Sequence, residues 1–293
     1  MRIRDLFSGT GPVFSFEFFP PKTEEGERKL LDTVHRLKDL GPSFVSVTKT
    51  GIKPPETTIE LTARIKSEVR IEAMAHITCA TAGRAEMARL LRLIRDAGIE
   101  NVLALRGDPP RDQTSFVRPA DGFSHAHELV RFIRQQGFPF CVGGAGYPEK
   151  HPEALSAEED LAHLGEKVNA GVEFVITQLF YGNDHYFTFV DRARAAGITV
   201  PIMPGIMPIT SVAQIERIAS LSGACIPAEL QADLDRARDD DDAALRVGIE
   251  YATTQCRDLL QRGAPGIHFY TLNRSPATSA ILRQLRAEQA AGR

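Results

Sequence analysis

Short β-branched or aromatic runs alternate with longer helical patterns along this chain, and that alternation most constrains what it can fold into. The strand-like runs are 13–19, 44–49, 72–79, 101–107, 140–147, 174–180, 201–207 and 266–272. Helical patterns fill 25–40, 57–69, 84–97, 125–136, 156–170, 185–196 and 211–222, and a longer helical stretch from about 227 to 262 precedes the last strand. Gly41, Gly98, Gly137, Gly171, Gly197 and Gly223 each stand where a helix would stop. Ser156 to Glu159 reads as a capping box, and the acidic run Asp239 to Asp242 as a solvated helix start or loop. No Pro/Gly/Ser linker or shift in composition divides the 293 residues. The pattern predicts an α/β chain forming a single (β/α)8 TIM barrel domain over 1–293, with extra helices before the last strand. A doubly wound open sheet would want a G-x-G-x-x-G turn after the first strand, where this chain has Glu17-Phe-Phe-Pro-Pro.

Composition removes several function classes. Apolar residues make up 43% and charged residues 25%, as in an ordinary soluble globule. A net charge of -3 leaves no electrostatic footprint for nucleic acid or an anionic membrane, and without tryptophan a base-stacking platform has little to build on. The apolar stretches are strand-sized, far short of the roughly 20 residues of a membrane helix. Met1 to Phe7 alternates charged with apolar residues and lacks the apolar core of a signal peptide. Cys79, Cys141, Cys225 and Cys256 are widely spaced without a C-x-x-C pair, which argues for a reduced, cytoplasmic setting and against a disulfide framework or zinc knuckle. There is no G-x-S-x-G elbow, H-E-x-x-H or P-loop, and no metal-ligand spacing, so no metal is expected.

A barrel demands that one face of each strand meet the helices while the other turns polar toward the C-terminal rim. Phe14, Phe16 and Phe18 share a face against Ser15 and Glu17, and Val45 and Val47 oppose Ser46 and Thr48. Ala75 and Ile77 oppose His76 and Thr78; Leu103 and Leu105 oppose Arg106 and Asp108; Ile267 and Phe269 oppose His268 and Tyr270. Polar residues recurring late in strands on one face predict a site assembled from many strands.

Glu17 is the sharpest candidate. Flanked by Phe14, Phe16, Phe18 and Phe19, its carboxyl would be desolvated and its pKa raised toward the range of a general acid. The alternative is a buried glutamate ion-paired with an Arg or Lys of a neighbouring strand. Arg106-Gly107-Asp108-Pro109-Pro110 offers a close backbone approach between a donor and an acceptor, or simply a strand exit with a surface salt bridge. Gly143-Gly144-Ala145-Gly146 leaves room for a flat ring beside Tyr147 and His151, or leads into a tight proline turn. His76, Gln178 and Arg274 are each weak signals alone.

Taken together, these motifs carry a resemblance. Phe16-Glu17-Phe18-Phe19-Pro20-Pro21-Lys22, His76-Ile77-Thr78-Cys79, Ala104-Leu105-Arg106-Gly107-Asp108-Pro109, Gly146-Tyr147-Pro148-Glu149-Lys150-His151-Pro152-Glu153, Ile176-Thr177-Gln178-Leu179-Phe180 and His268-Phe269-Tyr270-Thr271-Leu272-Asn273-Arg274 resemble the methylenetetrahydrofolate reductases, in order, from about 13 to 285. The resemblance implies an FAD-bearing barrel that takes hydride from NADH or NADPH and reduces 5,10-methylenetetrahydrofolate to 5-methyltetrahydrofolate. It implies Glu17 as the general acid that protonates N10 of the folate, and Asp108 as a second catalytic carboxylate beside flavin and pterin. Implied FAD contacts are Thr48, His76, Arg106, Gly107, Asp108, Ala126, Tyr147, His151, Asp160, His163 and Lys167; implied folate contacts are Asp108, Gln178, Gln214, Tyr270 and Arg274. Family habit adds a homo-oligomer, dimer or tetramer.

Three departures accompany the match. Lys49-Thr50-Gly51-Ile52-Lys53-Pro54-Pro55 replaces a Tyr-Gly-Ala and glycine-rich loop, Glu166 stands where some members carry a basic residue near the FAD diphosphate, and Ile218 replaces an aromatic. No stretch outside the barrel suits the S-adenosylmethionine-binding regulatory domain of larger members, so feedback by that ligand is not expected. Other readings are a related flavin barrel acting as a 5-methyltetrahydrofolate oxidase or on another substrate, and a folate- or flavin-binding protein without turnover.

Overall fold

The computed structural model describes residues 1–49, 53–80, 82–107, 119–274 and 276–291. Among these, nine parallel strand segments form one sheet: β1 (Val13–Phe18), β2 (Phe44–Val47), β3 (Ala73–Thr78), β4 (Asn101–Leu105), β5 (Cys141–Gly146), β6 (Phe174–Thr177), β7 (Ile202–Met203), β8 (Gly205–Ile206) and β9 (Gly266–Tyr270). Their order, β7-β6-β5-β4-β3-β2-β1-β9-β8, puts the two shortest segments at the ends. Only Pro204 separates those two in the chain, so the chain itself closes the sheet into a (β/α)8 barrel. The seventh expected strand is thus split, because proline has no N–H for the ladder. The Pro204 carbonyl still accepts from the His268 N–H at 2.9 Å, and Gly205 N–H turns to the Thr177 hydroxyl at 3.0 Å.

Helices α1 (Ile3–Leu6), α2 (Glu24–Lys38), α3 (Pro55–Arg64), α4 (Arg84–Asp96), α5 (Ala126–Gln135), α6 (Ala157–Ala170), α7 (Asn183–Ala195), α8 (Val212–Ser222), α9 (Ala228–Arg236), α10 (Asp241–Gln261) and α11 (Pro276–Ala291) surround the sheet. The stop signals hold: the six glycines named above all adopt positive φ, from 62° to 119°. Asp240 caps α10 by accepting from Ala243 N–H at 2.9 Å, so the acidic run is a helix start. Ser156 caps α6, while Glu159 reaches back to Leu155 N–H rather than to Ser156. The expected 57–69 helix becomes α3 followed by a π-helical turn, Ile65–Val69, that ends at Arg70 in the left-handed region (φ 60°). No helix among the described residues is long and apolar enough to cross a membrane.

Alternation sorts the side chains into two apolar layers. Phe14, Phe16, Phe18, Val45, Val47, Ala75, Ile77, Ile267 and Phe269 fill the shell between strands and helices, as expected. Inside the barrel lie Val13, Phe44, Met74, Leu103, Cys141, Phe174, Ile176 and Met203. Strand β4 departs from its expected phase: Leu103 points inward, paired in register with His76, with Leu105 packed on the same inner cluster, while Val102 and Ala104 face the helices. Both faces of that strand are apolar, so its sequence carries no phase. The short helix α1, unseen in the sequence reading, plugs the interior from below. Ile3 is fully buried there, and its N–H donates to Asn101 Oδ1 at 2.8 Å.

A third apolar cluster joins α8, α9 and α10 to the rim through Leu179, Ile209, Ile215, Leu230 and Leu234, so the extra helices roof one side of the mouth. The interior is filled to contact. A Cβ on Gly143 would sit 2.6 Å from Phe174 Cζ and 3.0 Å from Leu103 Cδ1. Gly143→Ala is therefore expected to cost about 1–3 kcal/mol by overpacking, read as an earlier urea midpoint at unchanged m-value.

Candidate active site

At the top of the interior, β1, β2, β3 and β9 bring six polar residues together because each holds the inward phase of its strand. Glu17 pairs in register with Ser46 and Tyr270, and Ser15 with His268. Glu17 is 6% exposed. Its Oε2 lies 3.2 Å from His268 Nε2 and 3.5 Å from His76 Nε2. His268, wholly buried, has its other nitrogen 2.7 Å from Ser15 Oγ, and that hydroxyl lies 4.0 Å from Met203 Sδ. Ser15, His268 and Glu17 thus form one hydrogen-bonded chain. The Thr271 hydroxyl donates to the Glu17 carbonyl at 2.6 Å and fixes the strand end beneath it.

This arrangement corrects the expected cause of desolvation. Phe14, Phe16 and Phe18 face the helices, because successive side chains of a strand point to opposite faces. What takes Glu17 out of water is the barrel interior, and its partners are imidazoles rather than an Arg or Lys. Burial acts most strongly on the carboxyl and raises its pKa, while the charge of a protonated His76 and the hydrogen bond and charge of His268 pull it down. With His76 protonated the balance lies below the ordinary glutamate range. Burial, however, pushes His76 itself down to about 4, so near neutral pH that ring is uncharged and its pull is absent. Burial is then opposed by His268 and by the hydrogen bond of Ser46.

Buried Thr48 Oγ1 has no hydrogen-bond partner among the described residues, and Ser46 Oγ and His76 Nε2 face the Glu17 carboxyl without a well-formed hydrogen bond. Leaving such atoms unpaired costs roughly 1–3 kcal/mol each, so they mark a place where a polar group of another molecule is accommodated. His76 also borders a second cavity of about 710 Å3 lined by Ile59, Met87 and Leu90.

A cleft of about 860 Å3, partly open to solvent, runs from the ends of β4 and β5 to the starts of α5 and α6. Seven of the implied cofactor contacts line it: Arg106, Ala126, Tyr147, His151, Asp160, His163 and Lys167. Small side chains at Ala104, Ala126 and Ala145 give it width. Gly107 adopts φ 86°, and a Cβ there would lie 2.8 Å from Thr78 Cβ, so only glycine permits this close approach. Asp160 accepts from His151 N–H at 3.0 Å and pins the loop of the Tyr-Pro-Glu-Lys-His motif; the Tyr147 and His151 rings meet edge to face at 4.6 Å. Arg106 forms a two-pronged salt bridge to Glu153 at 2.5 and 2.7 Å.

Thr48 and His76 lie with Glu17 rather than in this cleft. Tyr270 and Arg274 share a small cavity of about 230 Å3 with Thr210, whose N–H donates to Gln214 Oε1 at 2.8 Å. The Tyr270 hydroxyl donates across the mouth to the Thr177 carbonyl at 2.7 Å, over Gly205, where a Cβ would strike its ring at 2.6 Å. Gln178 is half-buried, and its N–H donates to the Gly146 carbonyl at 2.7 Å. Asp108 and residues 50–52 of the altered loop lie outside the described residues. The sequence reading missed the partnership of Ser15 and His268 with Glu17, and it missed His125 and His127, which also line the cleft. The inward phase of β1 and β9 was the available signal for the first pair; the second flanks Ala126 at the start of α5.

Comparison with known proteins agrees with this geometry. The family model described as methylenetetrahydrofolate reductase matches residues 2–286. The chain is 41% identical over 97% of its length to methylenetetrahydrofolate reductase (NADH) 1 of Arabidopsis thaliana, and 38% identical over 93% to methylenetetrahydrofolate reductase 1 of Schizosaccharomyces pombe. It covers 50% and 46% of those two proteins, so it spans about half the length of the curated relatives it matches. Among solved structures, a Clostridium thermocellum protein that binds two copies of 5-methyl-5,6,7,8-tetrahydrofolic acid superposes with TM-score 0.66 at 16% identity, covering 99% of this chain and all of that one. At that identity the likeness speaks to the fold alone. On the match of its sequence from residue 2 to 286, the chain belongs to the methylenetetrahydrofolate reductase family.

Proposed function

We propose that the chain is one catalytic barrel that reduces 5,10-methylenetetrahydrofolate to 5-methyltetrahydrofolate with FAD as cofactor and NADH or NADPH as electron donor. The observation that carries the reading is a buried, inward-facing carboxyl, Glu17, hydrogen-bonded to an imidazole at the mouth of the barrel. The cleft suits FAD on several counts. It has alanine-lined width, helix starts and Lys167 for phosphate, and beside it the close approach at Gly107. Arg106, Ala126, Tyr147, His151, Asp160, His163 and Lys167 would hold the cofactor, with Gly107 at its edge, and the resemblance assigns Asp108 to it as well. Bound FAD supplies the capacity to accept and return a hydride. The names of the relatives and of the family support a nicotinamide donor and a folate substrate. Gln178, Gln214, Tyr270, Arg274 and Asp108 are the residues assigned to that folate.

In this reading Glu17 delivers a proton to N10 of the folate, opening the five-membered ring and exposing an electrophilic carbon. The Ser15–His268 chain suits an acid that must exist in both states. With Glu17 protonated, its O–H donates to His268 Nε2, Nδ1–H donates to Ser15 Oγ, and that hydroxyl turns to Met203 Sδ. With Glu17 ionised, Nε2–H donates to the carboxylate and the Ser15 hydroxyl donates to Nδ1. The two states differ in ring tautomer, and in each Glu17, His268 and Ser15 stay hydrogen-bonded to one another.

Glu17→Gln tests the role. The variant is expected to bind FAD and accept hydride from NADH or NADPH in stopped-flow experiments, while folate turnover falls by about 100-fold or more. Unchanged folate turnover would overturn the assignment, and a colourless protein that gains no flavin from added FAD would overturn the cofactor. The same cluster predicts acid sensitivity. His76 takes up its proton near pH 4 folded but near 6.5 unfolded, so the unfolded chain binds more protons between those values and stability falls as pH drops through that window, by up to about 1.4 kcal/mol per pH unit. His76→Asn should flatten the fall in Tm between pH 6.5 and 4; an unchanged slope would contradict the depressed value.

A further inference from the structure

The cleft between α5 and α6 holds a cluster of imidazoles. His125 and His127 stack with ring centroids 5.6 Å apart and planes 11° from parallel; His125 and His163 follow at 6.2 Å and 26°. All three line the cleft. Among the described residues that line it, the cations Arg106 and Lys167 are outnumbered by the carboxylates of Glu153, Glu159 and Asp160. Arg106 is engaged by Glu153. Lys167 donates to the Ala145 carbonyl at 2.6 Å and is pushed down to about 8 by burial, against the pull of Asp160. A doubly charged phosphate ligand therefore meets little net positive field until imidazoles protonate.

We propose that His125, His127 and His163 grip the phosphate groups of the cofactor as imidazolium ions, so that cofactor binding takes up protons from solvent. The inference rests on the flavin reading above and adds a chemical property to it. The neighbouring charges are consistent with it. His127 Nδ1 lies 3.2 Å from Glu166 Oε2, so the carboxylate at that departure from the family pattern steadies a protonated ring. In the free protein burial holds His127 below the ordinary histidine value, opposed by Glu166 and Glu128, while His125 and Arg131 push the same way as burial. His151, also held down by burial, accepts at Nδ1 from Glu153 N–H at 3.1 Å and stays outside the ladder. Glu159 is tied to Leu155 N–H and Asp160 to His151 N–H. Tyr147, across the cleft, stacks edge-on against His151. An entering anion favours the imidazolium form, so affinity is greatest on the acid side and is lost as pH rises.

Calorimetric titration of the full chain, stripped of flavin, tests this with FAD and with riboflavin, which lacks phosphate. Two buffers of different ionisation enthalpy report the protons taken up. Between about pH 6 and about pH 8.5 the Kd for FAD should rise by roughly tenfold or more, with net proton uptake at the lower end, while riboflavin shows neither effect. The double variant His125→Asn/His127→Asn should lose most of the uptake and keep its riboflavin affinity, which also shows that it is folded. Should that variant fail to fold, His163→Asn is expected to lose part of the uptake. A flat FAD affinity without proton uptake would overturn the proposal, as would uptake that survives the double variant and centres near pH 8, which belongs to Lys167. If FAD binds at no pH, the flavin reading itself fails.

Discussion

A closed barrel of parallel strands forces every second side chain into a space that water cannot fill, and one of those positions holds a carboxyl. Placing Glu17 there demands hydrogen-bonding neighbours, since an unpaired buried carboxylate is far too costly to retain. The barrel supplies His268, more than 250 positions along the chain and brought beside β1 by the pairing of β9, with Ser15 of β1 bonded to its far nitrogen and His76 of β3 3.5 Å from the carboxyl. The split at Pro204 belongs to the same construction. Its carbonyl holds the His268 backbone, and the glycine after it makes room for Tyr270 to span the mouth.

Most of the architecture was legible in the sequence because its signals are local. Strand ends, helix stops at positive-φ glycines and the aspartate cap of α10 each follow from a few neighbouring residues. The phase of β4 was not legible, because both of its faces are apolar and the choice is made by register with β3. Helix α1 is a single turn whose stability comes from Asn101 and the barrel floor, contacts invisible in seven residues of sequence. Burial of Glu17 was anticipated but credited to the wrong side chains, since the phenylalanines beside it in sequence are on the other face in space. The cleft was recognised through residues carried over from a family pattern. The imidazole ladder became visible only when α5 and α6 were set side by side.

The two halves of the site solve opposite electrostatic problems. Around Glu17, polar groups are sealed from water and arranged so that the carboxyl keeps its hydrogen bond to His268 in either protonation state. Along the cleft, fixed charges are compensated pair by pair, Arg106 with Glu153 and Lys167 near Asp160, which leaves imidazoles as the adjustable element. A barrel can join these environments because its strand ends converge on one rim while its helices start around the outside of it.

The claim on which this account turns is that burial, unopposed by a charged His76, keeps the Glu17 carboxyl protonated further up the pH scale than an exposed glutamate. The direct measurement is an infrared difference titration of the wild-type chain against Glu17→Gln, following the carboxylic C=O stretch of that one side chain. The account predicts that the protonated band persists above the ordinary glutamate range. Loss of the band below that range would contradict it.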